Sequence, residues 1–308
     1  MTAVITGTST DFWDFYNELR DQLIAHADLV TASEEWSQIA GNTGVLNSSD
    51  YEYIIEGPGA SGTDQIRVYV GASVDSGSGR YNIILRGITS YNPSLAPSDQ
   101  IGISDLVCIP LWNGSIPYVI VASGRRFVFS CQVSSTFHSG YGGFINAYAL
   151  PSQYPYPCAV GGSSSDELSL YSDTDYDMST FVNPNDSLQL CFPDNVWRPF
   201  RQYTSPSQRS YLRCVSPYAL AVNTLVSVEL QLELIRKNFG GEYPLMRLML
   251  NCSDPGKADI GVLDGCFFIP GFENSSGNVL TINAVDYRVI QNTFRTDNLK
   301  GYWALALE

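Results

Sequence analysis

The residues best suited to chemistry in this sequence are two histidines, seven cysteines and one run of alternating aspartates. His26 and His138 stand alone, without the second imidazole that a zinc site places at close spacing. His138 lies in the text HSGYGG, which offers glycine flexibility but neither a G-x-S-x-G motif nor the strand-to-helix context of a Ser-His-Asp hydrolase; it is expected in a loop. Cys131 lies seven residues earlier, inside an apolar strand pattern where a thiol is inert. GPGASGTD at 57–64 lacks the lysine and following helix of a phosphate-cradling loop and reads as a turn. Asp173, Asp175 and Asp177 could converge on calcium, but Met178 occupies the place of the sharp-turn glycine and Pro184 that of the bidentate glutamate. A solvated acidic loop is expected there. Carboxylate pairs for glycoside hydrolysis can be distant in sequence, and no particular pair stands out. The residues therefore point to no catalytic site, no metal and no cofactor, and the chain is expected not to be an enzyme.

Contact chemistry is more visible. Trp112, Tyr118, Phe137, Tyr141, Phe144, Tyr148, Tyr154 and Tyr156 crowd one stretch together with many Gly and Ser. Such rings serve protein interfaces and sugar platforms, and they also build the cores of β-sandwiches; both readings stand. Arg125 and Arg126 are adjacent in a chain with only 17 cations, and on a strand they would point to opposite faces. One could anchor an acidic partner, or pair with a local carboxylate. The candidate interface residues are Arg125 and Arg126, together with Phe137, Tyr141, Phe144, Tyr148, Tyr154 and Tyr156 in a contact segment at 137–162.

The elements that must position these groups are mostly strands. Phe12, Phe15, Tyr16, Leu19 and Leu23 repeat at three and four residues behind Thr10 as N-cap, predicting an amphipathic helix over about 11–29 whose Asp14, Glu18, Arg20 and Asp21 stay wet. From Tyr51 the period becomes two: YEYIIEG, QIRVYVGA and YNIILRGI form an antiparallel meander, joined by IPLW, IPYVIVA and FVFSCQV in the sheet of a first domain. PSQYPYPCAVGGSSS, from Pro151 to Ser165, reads as a boundary or long rigid loop that cannot sit in a central strand. Beyond it, SLQLCF, the long run at 219–235, PLMRLML, GVLDGCFFIP, VLTINAV, YRVIQNTF and GYWALALE are strand candidates. The expected fold is mainly β: two β-sandwich-like antiparallel domains, 1–160 and 161–308, with one N-terminal amphipathic helix.

Composition narrows the partners. A net charge of −14 repels phosphate backbones, so nucleic acid is not an expected ligand. Charged residues make up only 16%, leaving a surface of hydroxyls and amides suited to protein partners. Seven cysteines without CxxC pairs read as buried thiols of a protein made in a reducing cytosol, and neither a signal peptide nor a membrane-spanning run is visible.

Two stretches carry a family resemblance. WNGSIPYVIVASGRRFVFSCQVSSTFHSGYGGFINAYALPSQYPYPCAVGGSS, from Trp112 to Ser164, resembles a segment recurrent in virion structural proteins of tailed bacteriophages, encoded among tail or baseplate genes, in which a GRR strand pair precedes a YPYP loop and a GGS. The stretch from Leu263 to the last residue, with its LDG turn and YRVIQNTFRT strand, resembles the end of the same proteins; the TGT-x-x-D helix start and the 57–64 turn agree in order. The segment from about 166 to 240 matches only loosely, and Cys158 and Cys266 replace aliphatic or small residues. The resemblance implies a component of the virion, made in the host cytoplasm and placed in the tail, baseplate or neck. It further implies a symmetric oligomer whose partners are copies of itself and other tail proteins. The alternative is a tail protein that contacts a receptor or a host surface glycan.

Overall fold

The computed structural model describes residues 2–42, 51–173, 181, 186–200, 243–252, 258–293 and 301–308, with backbone alone at 212–215. Strand β1 (Ala3–Ser9) leads into α1 (Phe12–Ala25) and α2 (Ala27–Ala32), then β2 (Ser37–Gly41), β3 (Glu52–Gly57), β4 (Ile66–Asp75), β5 (Arg80–Ile88) and β6 (Val107–Leu111). The middle of the chain forms β7 (Ile116–Ser123), β8 (Arg126–Val133), β9 (Thr136–Phe144), β10 (Asn146–Ala147), β11 (Cys158–Gly161), β12 (Leu188–Cys191) and β13 (Trp197–Pro199). The remainder gives β14 (Leu212–Val215), β15 (Met246–Cys252), β16 (Ala258–Phe268), β17 (Val279–Ile282), β18 (Val285–Gln291) and β19 (Tyr302–Ala306).

The fold is mainly β, as the period-two patterning predicts, and its sheets are antiparallel. A central sheet runs β1-β7-β8-β9-β11-β12-β13. The meander forms a second sheet, β2-β3-β4-β5-β6, and the late strands form a third, β14-β15-β16-β19-β18-β17, onto which β10 is added through β16. IPYVIVA and FVFSCQV are therefore not in the meander's sheet. They are β7 and β8 of the central sheet, with both faces covered: Ile116, Tyr118, Ile120, Phe127 and Phe129 pack toward the meander, while Val119, Val121, Val128 and Tyr141 pack toward Leu248, Leu263, Phe268 and Trp303 of the third sheet. A strand buried on both sides has no polar face to show, which explains the unbroken apolar runs. The ladder of the central sheet continues through residue 160 from β11 into β12 and β13.

Helix α1 wedges between the central sheet and the meander. Phe15 meets Tyr118 and Phe129 on one side, and Tyr16 meets Tyr53 on the other, its hydroxyl donating to the carbonyls of Tyr51 and Val70, each at 3.1 Å. Asp11, not Thr10, is the N-cap, its carboxylate accepting from the Asp14 amide at 2.9 Å. The helical stretch breaks at His26, whose extended backbone ends α1 and caps α2. Arg20 is buried rather than wet, its Nε 2.7 Å from Asp21.

Two stretches expected as loops are interior strands. HSGYGG lies in β9, where Gly140 faces Phe129 and Gly142 faces Phe127 across the ladder; a Cβ at either glycine would run into the opposing ring. The glycines make room for aromatic neighbours on a pleated surface, so here they favour the strand. In PSQYPYPCAVGGSSS the prolines end at Pro157, and Cys158–Gly161 then enters the central sheet between β9 and β12.

Candidate binding cavity and contact residues

The GRR turn and the LDG segment, far apart in sequence, meet at one corner of the three-layer stack. Between its pairs Arg247–Phe267 and Met249–Val262, β16 carries several more residues than β15, so Leu263–Cys266 bulges out of the ladder. That bulge brings Asp264 to Arg126, with Oδ2 3.1 Å from Nε. The approach lacks hydrogen-bond geometry at Nε, so the contact is an ion pair held by charge. Arg126 is 4% exposed, and its Nη1 lies 3.5 Å from the Val121 carbonyl. Gly265 has φ +72 and lies against the guanidinium, so this position needs glycine both for its backbone and for the space the arginine fills. Asn146 of β10 links the remaining groups: its amide donates to Asp264 Oδ1 at 2.7 Å and its carbonyl oxygen accepts from Arg125 Nη2 at 3.3 Å.

A cavity of about 550 Å³ opens over this corner, lined by Arg125, Arg126, Asn146, Arg247, Asp264, Glu34 and Glu308 among others. Glu34 accepts from the Gly124 amide at 3.1 Å, which ties the segment after α2 to the GRR turn. Trp36, donating through Nε1 to the Ser123 carbonyl at 2.9 Å, reinforces the same junction.

Arg125 and Arg126 thus come together and diverge in role: among the described residues Arg126 is engaged by a carboxylate, while the Arg125 guanidinium meets an amide oxygen. The aromatic candidates sit largely inside the fold. Tyr141 and Phe144 are buried, and so are Phe137 and Tyr154; Tyr141 donates to the Phe144 carbonyl at 2.7 Å and Tyr154 to that of Cys191. Tyr156 lies half-buried, donating to the Ile88 carbonyl at 3.0 Å and so bridging the YPYP loop to the meander. Tyr148 is the open one at 54% exposure, with Leu150 beside it at 65%. Burial raises the hydroxyl pKa values of Tyr141, Tyr154 and Tyr156, as expected for packed rings.

His138 is fully buried in β9. Desolvation drives its pKa down to about 4, against a smaller upward pull from the Tyr171 carbonyl. That carbonyl, 2.9 Å from Nε2, requires the proton on Nε2, leaving Nδ1 as a buried lone pair without a partner. Cys131 is likewise buried, and burial raises its thiol pKa. Asp173 is described, and its carboxylate accepts from the Leu170 amide at 2.7 Å; Asp175, Asp177 and the strand candidate at 219–235 lie outside the described residues. Among the described residues, no group of three His, Cys, Asp or Glu side chains is placed to hold a metal ion, and no helix is long and apolar enough to cross a membrane.

No protein-family model matches this sequence, and no curated protein matches it either.

Arg247, Glu34 and Glu308 carried no signal in the sequence. They reach the cavity only because the third sheet and the segment after α2 fold against the GRR turn.

Proposed function

We propose that this chain is a structural component of a tailed-phage virion, placed in the tail, baseplate or neck and assembling as a symmetric oligomer with copies of itself and with other tail proteins. The observation that carries this reading is that the two stretches bearing the resemblance form one structural unit. Arg126 of the GRR turn pairs with Asp264 of the LDG bulge, and Asn146 pairs in register with Val262 where β10 joins β16. Motifs that lock one another in space belong to one fold, so likeness in both stretches counts as one coherent likeness.

The rest of the molecule is consistent with a building block. The residues raised for nucleophilic catalysis are withdrawn from solvent, His138 and Cys131 among them. Exposed apolar side chains occur at Tyr148, Leu150, Val196 and Ile101, where subunit contacts would cover them. The glycan-contacting alternative draws less support, because Tyr141 and Tyr154 have no open ring face on which a sugar could stack.

The reading is tested by depleting the gene product during phage growth. Loss of infectious particles, with tails or tail substructures missing by electron microscopy and rescue by the protein in trans, is the expected outcome. Complete, infectious particles formed without the protein would overturn it.

A further inference from the structure

The corner cavity mixes polar and apolar lining and is unevenly charged. Its acids are mostly engaged: Asp264 is held by Arg126 and Asn146, and Glu34 accepts from the Gly124 amide. Of its cations, Arg126 is paired, but Arg125 and Arg247 are not. Among the described residues no carboxylate lies within ion-pair distance of Arg125 or Arg247. Arg125 is half-buried, bonds through its guanidinium to the Asn146 carbonyl oxygen alone among the described residues, and keeps its Nε buried without an acceptor. Arg247 stands exposed on β15 and lines the same cavity. Two uncommitted guanidiniums therefore face one cavity in a chain of net charge −14, alongside Glu308 and the engaged acids Glu34 and Asp264.

We propose that this cavity is a carboxylate-binding site, in which Arg125 and Arg247 hold the ligand above the fixed Arg126–Asp264 pair. A guanidinium presents a planar fork that fits a carboxylate through two parallel N–H donors. One negative charge per anionic group suits the site better than the two of a phosphate, because Glu34, Asp264 and Glu308 stand within the same lining and repel a second charge on the group held there. The floor is preorganised: Gly265 and the β16 bulge fix the Arg126–Asp264 pair, and Asn146 fixes Arg125, so the ordering that remains when a ligand enters falls mainly on Arg247. The carboxylate can belong to a small free acid or to an Asp or Glu side chain of a neighbouring chain. The inference rests on the cavity alone and stands apart from the virion reading.

The test is calorimetric titration of the purified full-length chain with succinate, with a glutamate-bearing hexapeptide, and with sulfate as a control for general anion binding. Succinate or the peptide binds in the millimolar range or tighter while sulfate binds more weakly. Arg247→Gln, at an exposed position that leaves the fold intact, weakens binding by about tenfold, which is about 1.4 kcal/mol. Arg125→Gln does the same, and Glu308→Gln strengthens binding by removing the competing charge. A peptide that binds more tightly than succinate assigns the carboxylate to a neighbouring chain, and the reverse order assigns it to a free acid. No carboxylate binding, binding unchanged in Arg247→Gln, or sulfate binding as tightly as succinate would each overturn the proposal.

Discussion

Replacing Asp264 by alanine should destabilise this protein far more than removing an ion-pair partner of shorter distance elsewhere on it. Asp264 neutralises Arg126, whose side chain is 5% exposed, and also accepts from Asn146. Without it a guanidinium stays buried beside an amide that has lost its acceptor. Breaking a buried pair in this way costs about 3–5 kcal/mol, and the 26% exposure of Asp264 itself argues for the lower end, about 3 kcal/mol. The comparison is Asp194, which grips Arg198 through two bonds of 2.6 and 2.9 Å but is half exposed. Its alanine variant should cost less than about 1 kcal/mol, because solvent screens the charge and holding two long side chains offsets the gain. Urea unfolding read at constant slope measures both losses. The double variant Arg126→Met/Asp264→Leu should recover most of the Asp264→Ala loss, since it removes the buried charge together with its partner. An Asp264→Ala cost no larger than that of Asp194→Ala would refute the reasoning that burial, not distance, sets the worth of these pairs.

Other consequences follow from the same packing. His138 is neutral in the fold and its pKa is lowered to about 4, so the unfolded chain takes up a proton below pH 6.5 that the folded chain refuses. Stability from this residue is present above pH 6.5 and falls as pH drops toward 4, by about 3 kcal/mol in total; His138→Gln should flatten the wild-type slope in that window, and an unchanged slope would contradict the assignment. Tyr16→Phe removes a buried hydroxyl shared by two carbonyls and should lower stability by about 1–2 kcal/mol in the same urea assay. Cys108, Cys131, Cys158, Cys191, Cys252 and Cys266 are buried, with the Cys191 thiol pushed up to about 12 by desolvation, so a thiol-labelling reagent at pH 8 should modify at most one of the seven cysteines quickly until the chain is unfolded.

Much of the strand content was legible because the meander strands alternate an apolar face with a mixed one, on which Glu52, Glu56, Arg67 and Arg86 sit among the buried Ile54, Tyr69 and Ile84. The layering was harder to read. Ile116–Ser123 and Arg126–Val133 lack a polar side because sheets cover both their faces, and a continuous apolar run says that a strand is buried without saying between what. β9 and β11 were hidden by residue types. Gly140 and Gly142 signal flexibility in isolation, yet across the ladder they admit Phe129 and Phe127; Cys158–Gly161 follows prolines that finish just before the strand begins. At the site, Arg125 and Arg126 stood out through scarcity of cations, whereas Asp264 lay within the LDG turn without being singled out. That Asp264 reaches Arg126 depends on a β16 bulge and on two sheets stacking, which no local pattern encodes. Most of the aromatic crowd of the contact segment turned inward for the same reason: a middle layer needs large side chains on both faces.

The most direct measurement of the central claim is quantitative mass spectrometry of particles of the encoding phage, purified by density gradient and washed free of lysate. The account predicts peptides of this chain in the particle at a fixed ratio to the other tail proteins, corresponding to several copies per virion. Peptides found only in the lysate, or in the particle at a variable trace far below one copy, would contradict it.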